Sequence, residues 1–219
     1  TGLDAALAGA DLVEFLATVD DVVVLDGDTV RVIEASGLAA DGPDDWPLDP
    51  LTPVWRLRDA LPAGEPYAET ATALRRQGAL LTAAFSVGMA DRLTDLAVGY
   101  AQERQQFDRP IGSFQAVKHL CADMAVRAEI ARVAVHAAAC VMEDAETGSL
   151  DRALAGAKLL AGEAAVLNGR SATQVYGGMG FTWEVDVHLY LKRAWVLETQ
   201  FGGADEHADA VAATMPAPA

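Results

Sequence analysis

The sequence predicts a mainly α fold: an antiparallel four-helix bundle preceded by a small, incomplete β segment. Three observations predict it. From Tyr67 onward helix-forming residues dominate, and Pro110 is the only proline before the C-terminal tail. Within that stretch Val117, Leu120, Cys121, Met124, Ala128, Ala131 and Val135 recur at three- and four-residue steps, while Lys118, Asp123 and Glu129 fall at other angles; such a stripe is the core-facing side of a helix. Ahead of it, residues Asp21 to Ala35 hold two β-branched runs around Asp26-Gly27, a strong short-range hairpin signal.

The elements follow in order. A lone hairpin is marginal in water, so the Asp21–Ala35 strands need partners, from a missing upstream segment or another subunit. Between Leu38 and Pro66 Gly, Pro, Asp and Trp cluster without any period, which reads as ordered loop with one short strand at Val54–Leu57. Residues 1–66 are therefore a partial β-domain and linker, and 67–219 the helical-bundle domain. Four helices fit the second part: Tyr67 to Gln105, Phe114 to Glu146, Leu150 to Val175, and Val185 to Gln200. The third carries Ala153, Ala155, Ala157, Ala161, Ala164 and Ala165, little side-chain bulk, which permits close helix approach on more than one side. Long amphipathic helices with short connections make a bundle.

Composition removes whole classes of function. The 219 residues carry a formal net charge of −16 with a pI near 4.4, a field that repels phosphate backbones and anionic lipid; neither nucleic acid nor membrane is an expected partner, and any anionic ligand needs a local basic site. Apolar runs are too short and interrupted to span a bilayer. Two cysteines, Cys121 and Cys140, give no material for a disulfide framework and read as buried free thiols. The chain starts Thr-Gly-Leu-Asp, with neither Met nor a charged-then-apolar leader, which leaves the cytoplasm as the expected compartment and suggests a truncated chain. His119, His136, His188 and His207 show no metal-ligand spacing, so no metal is expected. The absence of a Gly-x-Ser-x-Gly elbow and of a Walker loop argues against hydrolase and nucleotide-triphosphatase chemistry.

Two stretches can carry chemistry. Tyr100 to Met124 ends one helix, turns at Asp-Arg-Pro-Ile-Gly and starts the next. Arg104 and Arg109 there offer bidentate donors for a pyrophosphate, Phe107 an aromatic face, and Gln115 an amide near a helix start; an ordinary interhelical turn is the plainer alternative. The second stretch, Gln174-Val-Tyr-Gly-Gly-Met-Gly-Phe-Thr-Trp-Glu184, sets three glycines in four positions just past a helix. Backbone so bare lets a ligand approach closely, or it is a glycine C-cap followed by a turn.

Taken together, Glu-Arg-x-x-Phe-x-x-Pro-Ile-Gly-x-Phe-Gln-Ala-x-x-His-x-x-Ala-Asp-Met (Glu103 to Met124) and Gln-x-x-Gly-Gly-Met-Gly-Phe (Gln174 to Phe181) strongly resemble the C-terminal helical domain of the acyl-CoA dehydrogenases. The resemblance covers Leu74 to Glu206, with a weaker echo of that family's central β-domain in residues 1–60 and no counterpart of its N-terminal helical domain. It implies a bundle of the acyl-CoA dehydrogenase type and FAD as cofactor, seated at a subunit interface. It also implies that Arg104, Gln106, Phe107 and Gln115 contact the adenosine-diphosphate part and that Gln174, Gly177 and Gly178 form a second group, all lent to an FAD seated mainly in the neighbouring subunit.

The family's catalytic base has no counterpart. Its glutamate stands in a Tyr-Glu-Gly-Thr loop, where this chain reads Gln200-Phe-Gly-Gly-Ala-Asp-Glu206, placing Gly202 at the position; branches with the base on the first helix of this domain align it with Gly78. The threonine that touches the flavin from the same chain becomes Ala204. Asp205 and Glu206 are the substitutes nearest in sequence, and Asp91, Glu184 and Glu198 read as solvated helix charges. Because general-base catalysis is worth about 10²–10⁴-fold, the resemblance implies a non-base-bearing subunit of a heteromeric FAD-dependent acyl-CoA dehydrogenase, similar to bacterial heterotetramers with two copies of each subunit (α₂β₂). A second dehydrogenase subunit, an acyl-CoA thioester and an electron-transfer flavoprotein as acceptor are the implied partners. The Gly180 to Ala194 run resembles branches that handle steroid-side-chain thioesters. Two alternatives stand beside this reading: a catalytically silent structural or regulatory homologue, and a flavin monooxygenase or reductase on the same bundle.

Overall fold

The computed structural model describes the backbone of residues 2–4 and all of residues 11–215. It is mainly helical, at 63%, and divides into two compact units, Thr1–Gln77 and Gly78–Ala219.

Among its described residues the first unit has seven short strands in two small sheets: β1 (Gly2–Asp4), β2 (Leu12–Glu14), β3 (Asp21–Asp26), β4 (Thr29–Glu34), β5 (Ala40–Asp41), β6 (Val54–Leu57) and β7 (Glu65–Pro66). The hairpin forms as the β-branched runs predict, β3 against β4 with Asp26 paired to Thr29. Its partners, however, come from this chain: β1 runs parallel to β3 and β7 antiparallel to β4, giving the order β1-β3-β4-β7. Sequence reading missed them because strands of two or three residues carry no periodicity. A second sheet, β2-β6-β5, uses the expected strand at Val54–Leu57. Val13, Leu16, Val22, Val24, Ile33, Ala35 and Leu57 form one buried cluster, the alternate residues of each strand facing inward.

The second unit is the bundle. Its helices are α1 (Ala71–Glu103, from Gly78 onward in this unit), α2 (Gln115–Glu143), α3 (Leu150–Tyr176), α4 (Val187–Thr199) and α5 (Ala204–Ala213), with a two-stranded ribbon, β8 (Gln105–Gln106) and β9 (Arg109–Pro110), between α1 and α2. The predicted stripe is the buried side of α2, where Met124, Ala128, Ala131 and Val135 are buried and Ala138 extends the row. Cys121 is half-buried and Cys140 exposed, correcting the expectation of two buried thiols; position 140 lies two residues past Ala138 and so turns off the stripe. The alanines of α3 meet Ala83, Val87 and Ala90 of α1 and Ala131, Val135 and Ala138 of α2 in one cluster, small residues letting backbones approach.

Two features go beyond the sequence reading. A fifth helix, α5, follows Gly203, with Asp205 and Glu206 in its first turn, charges that favour a helix N-terminus. And a polar node sits inside the bundle: the fully buried Asn168 amide donates to Ala90 O (3.1 Å), Thr94 Oγ1 (3.2 Å) and Met124 O (3.0 Å), while its oxygen accepts from Arg127 Nε (2.9 Å). One satisfied side chain thereby ties α1, α2 and α3 in a single register. No helix among the described residues is long and apolar enough to cross a membrane.

Candidate functional site

Because the helices alternate in direction, the bundle has two chemically different ends. At one stand the end of α1, the start of α2, the end of α3 and the start of α4. There Tyr100 and Tyr176 stack with ring centroids 4.0 Å apart and 12° between planes, joining the two sequence stretches singled out above although they lie about seventy residues apart in the chain. Ile111, Val117, Leu120 and Cys121 pack on the same cluster as both tyrosines. Burial holds the Tyr176 phenol above its ordinary pKa.

The β8–β9 ribbon projects from this end. Gln106 pairs with Arg109, so Phe107 and Asp108 form its two-residue turn, at φ 55° and 61°. Such turns favour Asn and Gly because both central residues are left-handed; a phenylalanine there is strained. Phe107 is nonetheless 85% exposed, with its ring edge-on to Phe114 at 6.0 Å and the Arg109 guanidinium 4.1 Å over the Phe114 ring. Arg104, Gln106, Gln115 and Gln174 are exposed, and among the described residues Arg104 has no side-chain partner. Gln115 opens α2, whose N-cap, Phe114, supplies no side-chain acceptor. Gly177 ends α3, and a Cβ at Gly178 would meet no atom within 4 Å. Every one of the seven residues predicted for the cofactor therefore lies at this end, facing outward.

The opposite end is closed. Gly78, in the first turns of α1, and Gly202, in the α4–α5 connection, are brought together, because the Phe201 ring lies on Gly78 so tightly that a Cβ there would overlap it. Phe201 (φ 57°) and Gly202 (φ 103°) are consecutive left-handed residues. A Cβ on Gly202 would stand 2.9 Å from His207 Nε2 and 3.3 Å from Glu206 Oε2. Glu206 accepts from Gly203 N–H at 2.9 Å and so caps α5, while Ala204 and Asp205 open that helix.

Lys158, on α3 and 3% exposed, holds this connection from below. Its ammonium donates to Leu197 O and Glu198 O, both at 3.0 Å, and to Gly202 O at 3.5 Å, a cation on the last carbonyls of α4. Burial pushes Lys158 down to about 8, against the opposing pull of Glu198. His207 also lies below the usual imidazole range, through burial and the Lys158 charge, with the Phe201 and Gly202 carbonyls and Glu206 opposing; its Nε2 is buried without a partner. A cavity of about 120 Å³ is lined by Lys158, Gly162, Glu198, Ala204 and His207. Sequence reading missed Lys158, Phe201 and His207 as a unit: a lysine in an alanine-rich helix looks like a solvated one, and the signal that existed was Gly202-Gly203 directly after an aromatic residue. Among the described residues no three His, Cys, Asp or Glu side chains gather as a metal cage.

Residues 67–215 match the family described as acyl-CoA dehydrogenase, C-terminal domain. The chain belongs to that family. Among curated acyl-CoA dehydrogenases it is 48% identical over 126 residues to FadE34 of Mycobacterium tuberculosis, covering 58% of this chain and 18% of that protein. It is 37% identical over 179 residues to IpdE2 of Mycolicibacterium smegmatis, covering 78% of this chain and 54% of that one. The chain thus spans about half the length, or less, of these relatives. Among solved structures, the ChsE4–ChsE5 complex of Mycobacterium tuberculosis superposes with a TM-score of 0.79 at 25% identity, over 99% of this chain and 63% of that one. Butyryl-CoA dehydrogenase of Megasphaera elsdenii, at a TM-score of 0.77 and 22% identity over 93% of this chain and 58% of that one, shares the fold. Within this domain the closed end carries glycine at both residue 78 and residue 202.

Proposed function

We propose that this chain is the non-base-bearing subunit of a heteromeric, FAD-dependent acyl-CoA dehydrogenase that introduces the α,β double bond into an acyl-CoA thioester. The observation that carries the reading is the separation of the two ends. From Gly78 to Arg104 the rise along α1 is about 39 Å at 1.5 Å per residue, so one chain cannot bring both ends to one flavin; the open end serves a cofactor seated in a neighbour. Exposed apolar side chains on the outer faces of the bundle, Leu81 and Phe85 on α1 and Val126, Ile130 and Val133 on α2, are what a subunit interface requires. The similarity to the ChsE4–ChsE5 complex favours a second dehydrogenase subunit as the neighbour.

The residues present fit the adenosine-diphosphate part of FAD. Arg104 is an unpaired guanidinium suited to a pyrophosphate, and the N-terminal amides of α2 beside Gln115 are acceptor-seeking. The strained, exposed Phe107 is unexplained by the fold and suits an adenine face. Open space at Gly178 admits a ligand against bare backbone together with Gln174 and Gly177, and Gln106 completes the polar rim. Bound FAD supplies hydride acceptance from the thioester β-carbon. This chain's own part is to hold and orient the cofactor and exclude water; with Gly78 and Gly202 at the base positions, it moves no substrate proton. The partner supplies the base, an electron-transfer flavoprotein takes the electrons, and the cytoplasm is the site of action.

The test is co-expression with a candidate partner, followed by mass measurement and bleaching of the co-purified flavin by acyl-CoA, a steroid-side-chain thioester being the first substrate to assay. A yellow heteromer bleached by the thioester supports the reading. A stable yellow homodimer of this chain with dehydrogenase activity overturns it, a flavin-free heteromer points to a silent structural role, and oxygen-dependent NAD(P)H consumption points to a monooxygenase.

A further inference from the structure

We infer that Phe201 is a specificity-determining gate: its ring takes the place of a side chain at residue 78 and closes this chain's own end of the bundle to an acyl thioester. The inference deepens the division of labour proposed above and rests on it for the identity of the excluded ligand.

The glycine at 78 is explained by that ring. Gly78 lies within a helix and its φ is not positive, so its backbone has no need of glycine, yet a Cβ would overlap Phe201 Cε1, Cζ and Cδ1. Glycine inside a helix is otherwise a cost. The ring is 42% exposed and joins none of the buried apolar clusters of the bundle; it covers a surface position without filling a core.

Its backbone is held there against preference. Phe201 is left-handed, as is Gly202 after it, a conformation an aromatic residue keeps only where its surroundings over-determine it. Three holdings are present: Lys158 on the carbonyls of Leu197, Glu198 and Gly202, Glu206 on the amide of Gly203, and the ring on Gly78. A carboxylate placed at residue 78 to take a thioester's α-proton would need the space that this ring fills. One side chain thus blocks both positions, at 78 by volume and at 202 by fixing a backbone whose Cβ would meet His207.

A double-substitution cycle on the full chain tests the packing by its sign. With Phe201 present, Gly78→Ala should lower Tm by about 3–6 °C, because the ring is expelled. In a Phe201→Ala background the same change should leave Tm unchanged or raise it, as alanine for glycine in a helix ordinarily does. Phe201→Gly, which relieves the left-handed backbone, serves as the second background should Phe201→Ala not fold. An equal effect of Gly78→Ala with and without the ring overturns the inference. The gate itself is read by equilibrium dialysis against octanoyl-CoA: Phe201→Gly should bind at least tenfold more tightly than the parent chain, and equal affinity, measurable or not, overturns the gate. Dehydrogenase activity in the parent chain alone would instead remove the division of labour and leave the packing reversal standing, so the two failures are distinguishable.

Discussion

The two ends of the bundle obey opposite rules. At the Arg104 end, polar and aromatic side chains face outward, Phe107 keeps a strained backbone while 85% exposed, and Gly178 faces empty space. At the Gly78 end, polar groups are turned inward, with Lys158 on three carbonyls and Glu206 on a helix-start amide. Strain that is tied down by neighbours, as at Phe201 and Gly202, secures a structure. Strain that is exposed, as at Phe107 with only an edge-on contact to Phe114, is what the proposed cofactor role would account for. The same motif-bearing helices thus end in an exposed polar and aromatic surface and in one already covered by the chain itself.

The sharpest way to break the comparison is at the open end. Arg104→Ala should weaken FAD retention by the assembled complex about 10- to 150-fold, the effect of about 1.5–3 kcal/mol for a charged donor to phosphate, with Tm unchanged; flavin absorbance after dilution and gel filtration reads it. Full retention would strip that end of its role.

At the closed end the next largest effect falls on stability. Lys158→Met should destabilise the chain by about 1–3 kcal/mol at pH 7, since the carbonyls it serves lose their donor. Below pH 8 Lys158 is charged in folded and unfolded chain alike. Between about 8 and 10.5 the unfolded chain keeps a proton that the folded one has released, so stability contributed by this group rises with pH. The gap between parent and Lys158→Met in denaturant midpoints should accordingly widen from pH 8 to pH 10; a gap that narrows would mean that the charged form, not burial, governs the site.

Gly202→Glu asks whether the closed end can be re-armed. A side chain at φ 103° beside His207 should cost about 1–3 kcal/mol, seen as a fall in Tm, with FAD retention intact and turnover by the complex close to the parent. A gain in turnover would show that the site retains a working substrate bed. The smallest effect concerns His207, whose folded pKa lies below 6.5. As pH falls below 6.5 the unfolded chain takes up a proton first, so stability falls with it, and His207→Leu should flatten the acid limb of a Tm-against-pH curve. A parallel limb in the variant would assign it to other groups.

What could be read in advance was local or periodic. The α2 stripe at three- and four-residue steps, the hairpin around Asp26-Gly27 and the strand at Val54–Leu57 each rest on a single short, contiguous pattern, and each formed where its residues predict. The two motifs that meet at the Tyr100–Tyr176 stack are contiguous, which is why each could be picked out in the sequence. The α5 helix was hidden by the two glycines before it, although its acidic first turn was a usable signal. β1 and β7 were hidden by being too short to show a period.

The sequence by itself specified a helical bundle, a pair of motifs and the absence of a carboxylate at residues 78 and 202, because identity and spacing are properties of the chain. Which of those features meet is a property of packing. Gly78 and Phe201 are more than a hundred residues apart, Lys158 reaches Gly202 from another helix, and Tyr100 finds Tyr176 across the bundle. Such contacts depend on helix phase and on the close approach that alanine cores permit, summed over the whole bundle. Two glycines could be read from the text; that one phenylalanine lies against the first and directly before the second emerged only when the chain had folded.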